Sequence, residues 1–310
     1  MKDPKRSARV YPEGPRSAEI GVGRGTDNAQ SLSAIRYPPS AKPTEPVSAG
    51  PPEPLSAKPT GAVSARPSQP LSAERRERAL FSEVLGHADD NLVISHRLSE
   101  WVACAPDLET DIALANIALD HLGVARALLA YAGEIEGEGR TEDDFAMLRS
   151  EREFTNLLLC ELPIGDFAYT ILRQFLFDAY QMGLWEVLSS HSDPTLAGVA
   201  GKALMEASYH FRFSSAWVVR LGDGTDESHQ RTVAALGDLW RFVDEMFEDH
   251  PSLRGKWDRR VGAVLADGNL TSPGSAHPRA GGREGVHTEY LGHLLAEMQS
   301  VARSHPGARW

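Results

Sequence analysis

From residue 79 to residue 304, apolar side chains recur at intervals of three and four, the period of helices that each turn one face inward. The pattern predicts helices over about 79–104, 107–133, 149–161, 165–190, 194–221, 227–249 and 284–304. The punctuation agrees with it. Asp107 follows Pro106 and precedes Glu109, a helix start with acid in its first turn, and Gly133 closes that helix. Asp193-Pro194 supplies an N-cap with proline at the first helical position, and Gly222-Asp-Gly-Thr225 reads as stop, turn and restart. Residues 266–283 are rich in glycine and proline and have no period, so they read as a loop. No segment alternates with the two-residue period of a strand ladder. The fold class expected is all-α, a bundle with long central helices.

The polar residues that interrupt these stripes carry the chemistry. In the helix after Asp193, Leu196, Val199, Ala203, Glu206, His210, Phe213 and Trp217 are spaced three and four apart and form one seam. Ile171, Phe175, Asp178, Met182 and Trp185 form a second, and Ile112, Asn116, Asp120, Gly123 and Ala127 a third. Three helices thereby point a carboxylate toward the middle of a bundle, where an unpaired charge would cost several kcal/mol. This is the layout of a ferritin-like di-iron site, which takes a Glu from each of two helices and a Glu-x-x-His from each of the other two. Here the set is defective. Asp120 has Gly123 at i+3, His210 has Ala207 at i−3, and the first helix offers Ser95 and Ser99, with Glu100 rotated away. The single literal Glu-x-x-His, Glu284 to His287, has no matching second half and reads as a coincidence at the start of the last helix. The expectation is a vestigial inward-facing network of Asp120, Asp178, Glu206 and His210, satisfied by one another and by Lys202, Arg126 or Arg173. No catalytic, cofactor-binding or metal-ligating residue is named.

The first quarter of the chain differs in kind. Residues 1–74 hold 13 of the 20 prolines, and an eight-residue period runs SAKPTEPV, SAGPPEPL, SAKPTGAV, SARPSQPL from Ser40. Such a segment buries too little apolar surface to offset the entropy of ordering it, so a disordered tail over 1–74 and a helical domain over 75–310 are expected. The tail has a net charge of +3, which leaves −14 on 75–310 of the chain's −11. That balance points away from nucleic acid. No apolar stretch reads as long enough to span a bilayer and no secretory leader is seen, so no membrane partner and a cytoplasmic location are expected. Two cysteines, Cys104 and Cys160, exclude a disulfide framework and read as inert buried thiols. The tryptophans read as core or interface anchors.

The stretches DNLVISHRLSEWVACAPDLETDIALANIALDHLGVARALLAYAG from Asp90, EREFTNLLLCELPIGDFAYTILRQFLFDAY from Glu151, EASYHFRFSSAWVVRLGDGTDES from Glu206 and GGREGVHTEYLGHLLAEMQ from Gly281 resemble the C-type subunits of bacterial phenylacetyl-CoA epoxidases. The resemblance covers about 80–310. The tail has no counterpart in the family pattern, and the part after Trp257 is shortened. It implies a ferritin-like helical bundle with additional C-terminal helices. It also implies a non-catalytic structural subunit that pairs with a di-iron catalytic subunit in aerobic phenylacetate degradation. Other small subunits and a reductase carrying flavin and an iron–sulfur centre would complete a complex that uses O2 and NADPH. No cofactor is implied in this chain. The alternative is a self-sufficient di-iron carboxylate oxidase, or a metal-handling protein, with an atypical site.

Overall fold

The computed structural model describes residues 72–274 and 277–308; of the tail expected over 1–74, residues 1–71 lie outside them, while Ser72 caps the first helix and Ala73 and Glu74 belong to it. Among the described residues the chain is all-α and ferritin-like, with ten α-helices, four short 3-10 turns and no strand. Four long helices build the bundle: α1 (Ala73–Ser99), α2 (Leu108–Glu136), α5 (Phe167–Leu188) and α6 (Pro194–Gly222). Between α2 and α5 lie the short α3 (Glu142–Met147) and α4 (Leu158–Glu161). After them come α7 (Asp226–Trp240), α8 (Arg254–Asp267), α9 (Glu289–Met298) and α10 (Ser300–Ser304). α1 packs mainly along α2, α5 mainly along α6, and α2 meets α6 across the bundle. Short connections within each pair make the partners antiparallel neighbours.

Capping follows the sequence closely. The side chains of Asp107, Asp193 and Thr225 accept from the backbone N–H of Thr110, Leu196 and Ser228. α1 starts earlier than expected because Ser72 caps it, and it ends at Ser99 in a turn that places Ala103 at φ +67°. α2 runs past Gly133 to a left-handed Gly137. Gly133 has a different use: a Cβ there would meet the carbonyl oxygen of Arg140 at 2.4 Å.

Two central helices are covered on all sides. α5 buries 17 of its 22 residues, and α1 buries every residue from Val84 to Ser95, including Asp89, Asp90 and Asn91. α7 and α8 supply part of that cover. α8 was not foreseen, because only Trp257, Val261 and Leu265 mark its inner stripe. Trp257 is buried and its Nε1 donates to the carbonyl of Leu176 on α5 (3.0 Å). α2 corrects another expectation: by length and composition it is apolar enough to cross a membrane, yet half of that stretch is buried inside the bundle, as in a core helix. Cys160 is buried, whereas Cys104 is exposed in the turn after α1.

The helix expected over 149–161 does not form as one piece. A 3-10 turn at Glu151–Glu153 leads into extended residues, and helix resumes only over Leu158–Glu161. The cause is competition for backbone donors. The Asp89 carboxylate accepts from the N–H of Thr155 (2.9 Å), that of Asp90 from Leu157 (2.7 Å), and that of Glu245 from Leu158 (2.7 Å). Three buried carboxylates thus take the N–H groups that a helix would have used.

Candidate functional site

Midway along the bundle, α1 and α2 each send one polar group into a shared network and α5 and α6 two each: Asn91, His121, Gln174 with Asp178, and His210 with Ser214. On α2 that group is His121, which the sequence reading missed. The buried stripe of α2 runs Leu114, Ile117, His121, Val124, Leu128, one position away from the expected Ile112, Asn116, Asp120 line, in which Ile112 is exposed. On α6 the buried stripe is Leu196, Ala200, Ala203, Ala207, His210, Ser214, Val218. Of the four expected members, Asp178 and His210 are therefore buried, while Asp120 and Glu206 stand at the rim with side chains 39% and 22% exposed.

The buried groups form a hydrogen-bonded relay. Asn91 Nδ2 donates to the carbonyl of His87, and Asn91 Oδ1 lies 2.8 Å from His121 Nδ1. His121 Nε2 is 3.0 Å from the Gln174 amide nitrogen, which also donates to Asp178 Oδ1 (2.6 Å). Ser214 Oγ is 2.7 Å from Asp178 Oδ2. This order fixes a neutral His121 with its proton on Nδ1, donated to Asn91, and its Nε2 lone pair taken by Gln174. Burial holds the His121 imidazole well below its ordinary pKa, and His210 adds to the effect. Burial also lifts the Asp178 carboxyl to about 8, against the pull of Ser214 and Gln174. At neutral pH Asp178 is thus mostly a neutral acid, whose O–H can donate a hydrogen bond to Ser214 Oγ while that hydroxyl donates to the carbonyl of Phe211 (3.3 Å).

Beside the relay, His210 Nε2 lies 3.0 Å from Asp120 Oδ2, and its ring centre is 5.0 Å from that of His121. Desolvation lowers the pKa of His210, partly offset by Asp120. Glu206 reaches Lys202 (3.6 Å) in solvent rather than the interior; desolvation raises its pKa, with Asp120 contributing. The other cations named from sequence go elsewhere. Arg126 pairs with Glu142, and Arg173 donates to the carbonyls of Leu162 and Pro163.

This geometry gives a sharper match to a di-iron frame than the spacing argument did. Both imidazoles of the frame are present, each with alanine three residues before it: Ala118-x-x-His121 on α2 and Ala207-x-x-His210 on α6. Asn91 stands on α1, and Asp178 on α5 is the one buried carboxylate among these frame positions. A di-iron centre needs four carboxylates with its two histidines. One neutral acid, one imidazole with its lone pair taken, and two methyl groups do not fit two irons.

A second buried network clamps the C-terminal segment to the bundle. Asp89 pairs with Arg149, and Asp90 pairs with Arg283 through both oxygens (3.0 and 2.7 Å). Glu245 also accepts from the N–H of Gly281 (3.0 Å) and Gly282 (2.8 Å). His287 does not join Glu284; its Nδ1 meets Glu161 at 2.8 Å, and helix begins only at Glu289. The Glu284-x-x-His287 spacing is thus coincidental, but His287 is a structural residue with a fully buried side chain.

Residues 66–310 match the family model described as "Phenylacetic acid catabolic protein". The chain belongs to that family. It is 46% identical over 237 residues to the C component of the 1,2-phenylacetyl-CoA epoxidase of Escherichia coli (strain K12), an alignment covering 72% of this chain and 95% of the relative. The family match begins just ahead of α1, so it takes in the whole bundle and the C-terminal clamp.

Proposed function

We propose that this chain is the non-catalytic structural subunit of a multicomponent phenylacetyl-CoA 1,2-epoxidase and pairs with a di-iron catalytic subunit. The observation that carries the reading is the interior of the bundle, where both histidines persist but alanine and asparagine stand where three carboxylates belong. The similarity to the C component of such an epoxidase supports the same reading. In this account the catalytic subunit supplies the irons. A reductase passes electrons from NADPH through flavin and an iron–sulfur centre, and one oxygen atom of O2 enters the aromatic ring while the other leaves as water. The present chain contributes the relay that fixes the register of its own four helices, and a rigid face for the partner. A cytoplasmic location belongs to this reading.

The face is on α2 and α6. Leu108, Ile112, Leu119, Met205 and Tyr209 on these two helices account for five of the twelve large apolar side chains left exposed among the described residues. Asp120, Glu206 and the half-buried Phe213 and Trp217 lie on the same helices. An apolar centre with a polar rim is the anatomy of a stable interface. Co-expression with the di-iron subunit tests the proposal. A stable heteromer is expected, with turnover dependent on both chains, and Ile112→Glu with Met205→Glu should weaken pairing at least tenfold while leaving the lone chain folded. Turnover by this chain alone with its reductase would overturn it.

A second reading, a self-sufficient di-iron oxidase or metal-handling protein, draws on one feature: ligand atoms of His121, Asp178 and His210 all lie within 4.8 Å of one another. Three atoms could hold one ion at most, and only after Gln174 releases His121 and Asp178 loses its proton.

A further inference from the structure

Away from the bundle centre, a cleft of about 470 Å³ opens between α1 and the segment joining α7 to α8. Glu83, His87, Asp249, His250, Arg283 and Glu284 line it. Glu83 and His87 are one turn apart on α1 and so share a face. His250 approaches from the opposite wall just before Pro251, its ring stacked on that of His87 at 24° with centres 5.8 Å apart. Ligand atoms of Glu83, His87 and His250 all fall within 4.8 Å of one another.

His87 is the odd member. It is 3% exposed, and neither of its ring nitrogens has a hydrogen-bond partner among the described residues. Its Nδ1 stands 3.9 Å from Asp90, beyond hydrogen-bonding reach, because that carboxylate is already engaged by Arg283 and the N–H of Leu157. A buried imidazole with no partner costs desolvation without return unless something else takes its lone pair. This is the reverse of His121, whose two nitrogens are both occupied.

We propose that Glu83, His87 and His250 form a binding site for one divalent transition-metal ion of the zinc class. Two imidazoles and a carboxylate are a preferred donor set for such an ion, with a fourth position open to water. Two imidazoles bound at ~2.0–2.1 Å to one tetrahedral ion have ring centres about 5 Å apart, close to the separation seen here. The charge balance favours a cation. Glu83, Asp249 and Glu284 are acidic, and the positive charge of Arg283 is matched by Asp90 at 2.7 Å and Asp249 at 3.5 Å. His191 stands nearby, its Nε2 4.0 Å from the Glu83 carboxylate, out of hydrogen-bonding reach, while its Nδ1 accepts from the N–H of Asp193. The ion would staple α1 to the α7–α8 segment, which also carries Glu245 of the C-terminal clamp.

The test uses the full chain, stripped with a chelator and titrated with Zn2+ by calorimetry and with Co2+ by visible absorption. One equivalent is expected, with tetrahedral Co2+ bands and a raised Tm. Loss of one ligand should weaken binding by more than the 10–100-fold that removing a ligand's hydrogen-bond partner costs. His250→Ala and Glu83→Gln, both at partly exposed positions, should each show this loss while the metal-free Tm stays put. His210→Ala should bind as the parent does. No binding at micromolar Zn2+, unchanged affinity in both cleft variants, or loss of binding in His210→Ala would overturn the site.

Discussion

Asp90 and Arg283 meet across 193 positions of sequence, and their separation should be among the costliest single changes in the chain. Asp90 is fully buried, and the Arg283 side chain is 16% exposed. Arg283 donates to both Asp90 oxygens and to the carbonyls of Gly86 (3.1 Å) and Thr155 (2.6 Å), while Asp90 also accepts from Leu157 N–H. Asp90→Ala therefore leaves a mostly buried guanidinium with only the exposed Asp249, 3.5 Å away, as counter-charge and leaves a buried N–H bare. Breaking a buried pair on one side costs about 3–5 kcal/mol. Arg283→Ala should fall near the lower end, since Asp90 keeps the bond from Leu157. The double variant should be less damaged than the two single effects summed, by about 1–3 kcal/mol, because each single change already loses the shared contact. Urea unfolding at pH 7 with unchanged m-values is the assay. The pH dependence gives a second check. Desolvation pushes the Asp90 carboxyl up, but the Arg283 charge, the nearby His87 and the Arg283 hydrogen bonds together outweigh it and hold the pKa below the ordinary carboxylate value. The pair's contribution is then full above the unfolded carboxylate pKa and lost as pH falls through the lower folded value. Additive single effects, or single losses below about 1 kcal/mol, would refute this reasoning.

Two further outcomes follow from the interior. Asp178 binds its proton more tightly folded than unfolded, so its contribution is full below the ordinary carboxylate pKa and declines as pH rises toward about 8. Asp178→Asn keeps the shape and removes the decline, so the variant should gain on the parent between pH 5 and 8 by on the order of 1 kcal/mol per unit, and parallel stability curves would contradict it. Gly282→Ala should destabilise by at least about 1–3 kcal/mol, since its Cβ would lie 2.0 Å from the carbonyl oxygen of Asn156. Thermal unfolding of the single variant reads it directly.

The long helices were legible because their caps and periods agree: Asp107, Asp193 and Thr225 each sit where the pattern ended or began. The resemblance pointed to the right family. The inward faces were harder. Asp120 and Glu206 lie one position from the buried stripes, and a helix advances about 100° per residue, so a carboxylate that looks central can stand at the rim. The sequence does carry a signal for the inward faces, a repeat of Ala-x-x-His at both His121 and His210. Asp89, Asp90 and Asn91 could not be read from period at all, because α1 is enclosed on every side and polar residues there answer to distant partners such as Arg149 and Arg283. The same carboxylates broke the helix expected at 149–161. Long-range electrostatics, invisible to a local window, decided that segment.

Metal analysis of the lone chain after expression in iron-replete medium addresses the central claim most directly. The account predicts far less than one iron per chain, with the iron of the complex retained by the catalytic subunit when the two are separated. Two irons per chain, lost together on His121→Ala or Asp178→Ala in a protein that stays folded, would contradict it and make the bundle centre a working site.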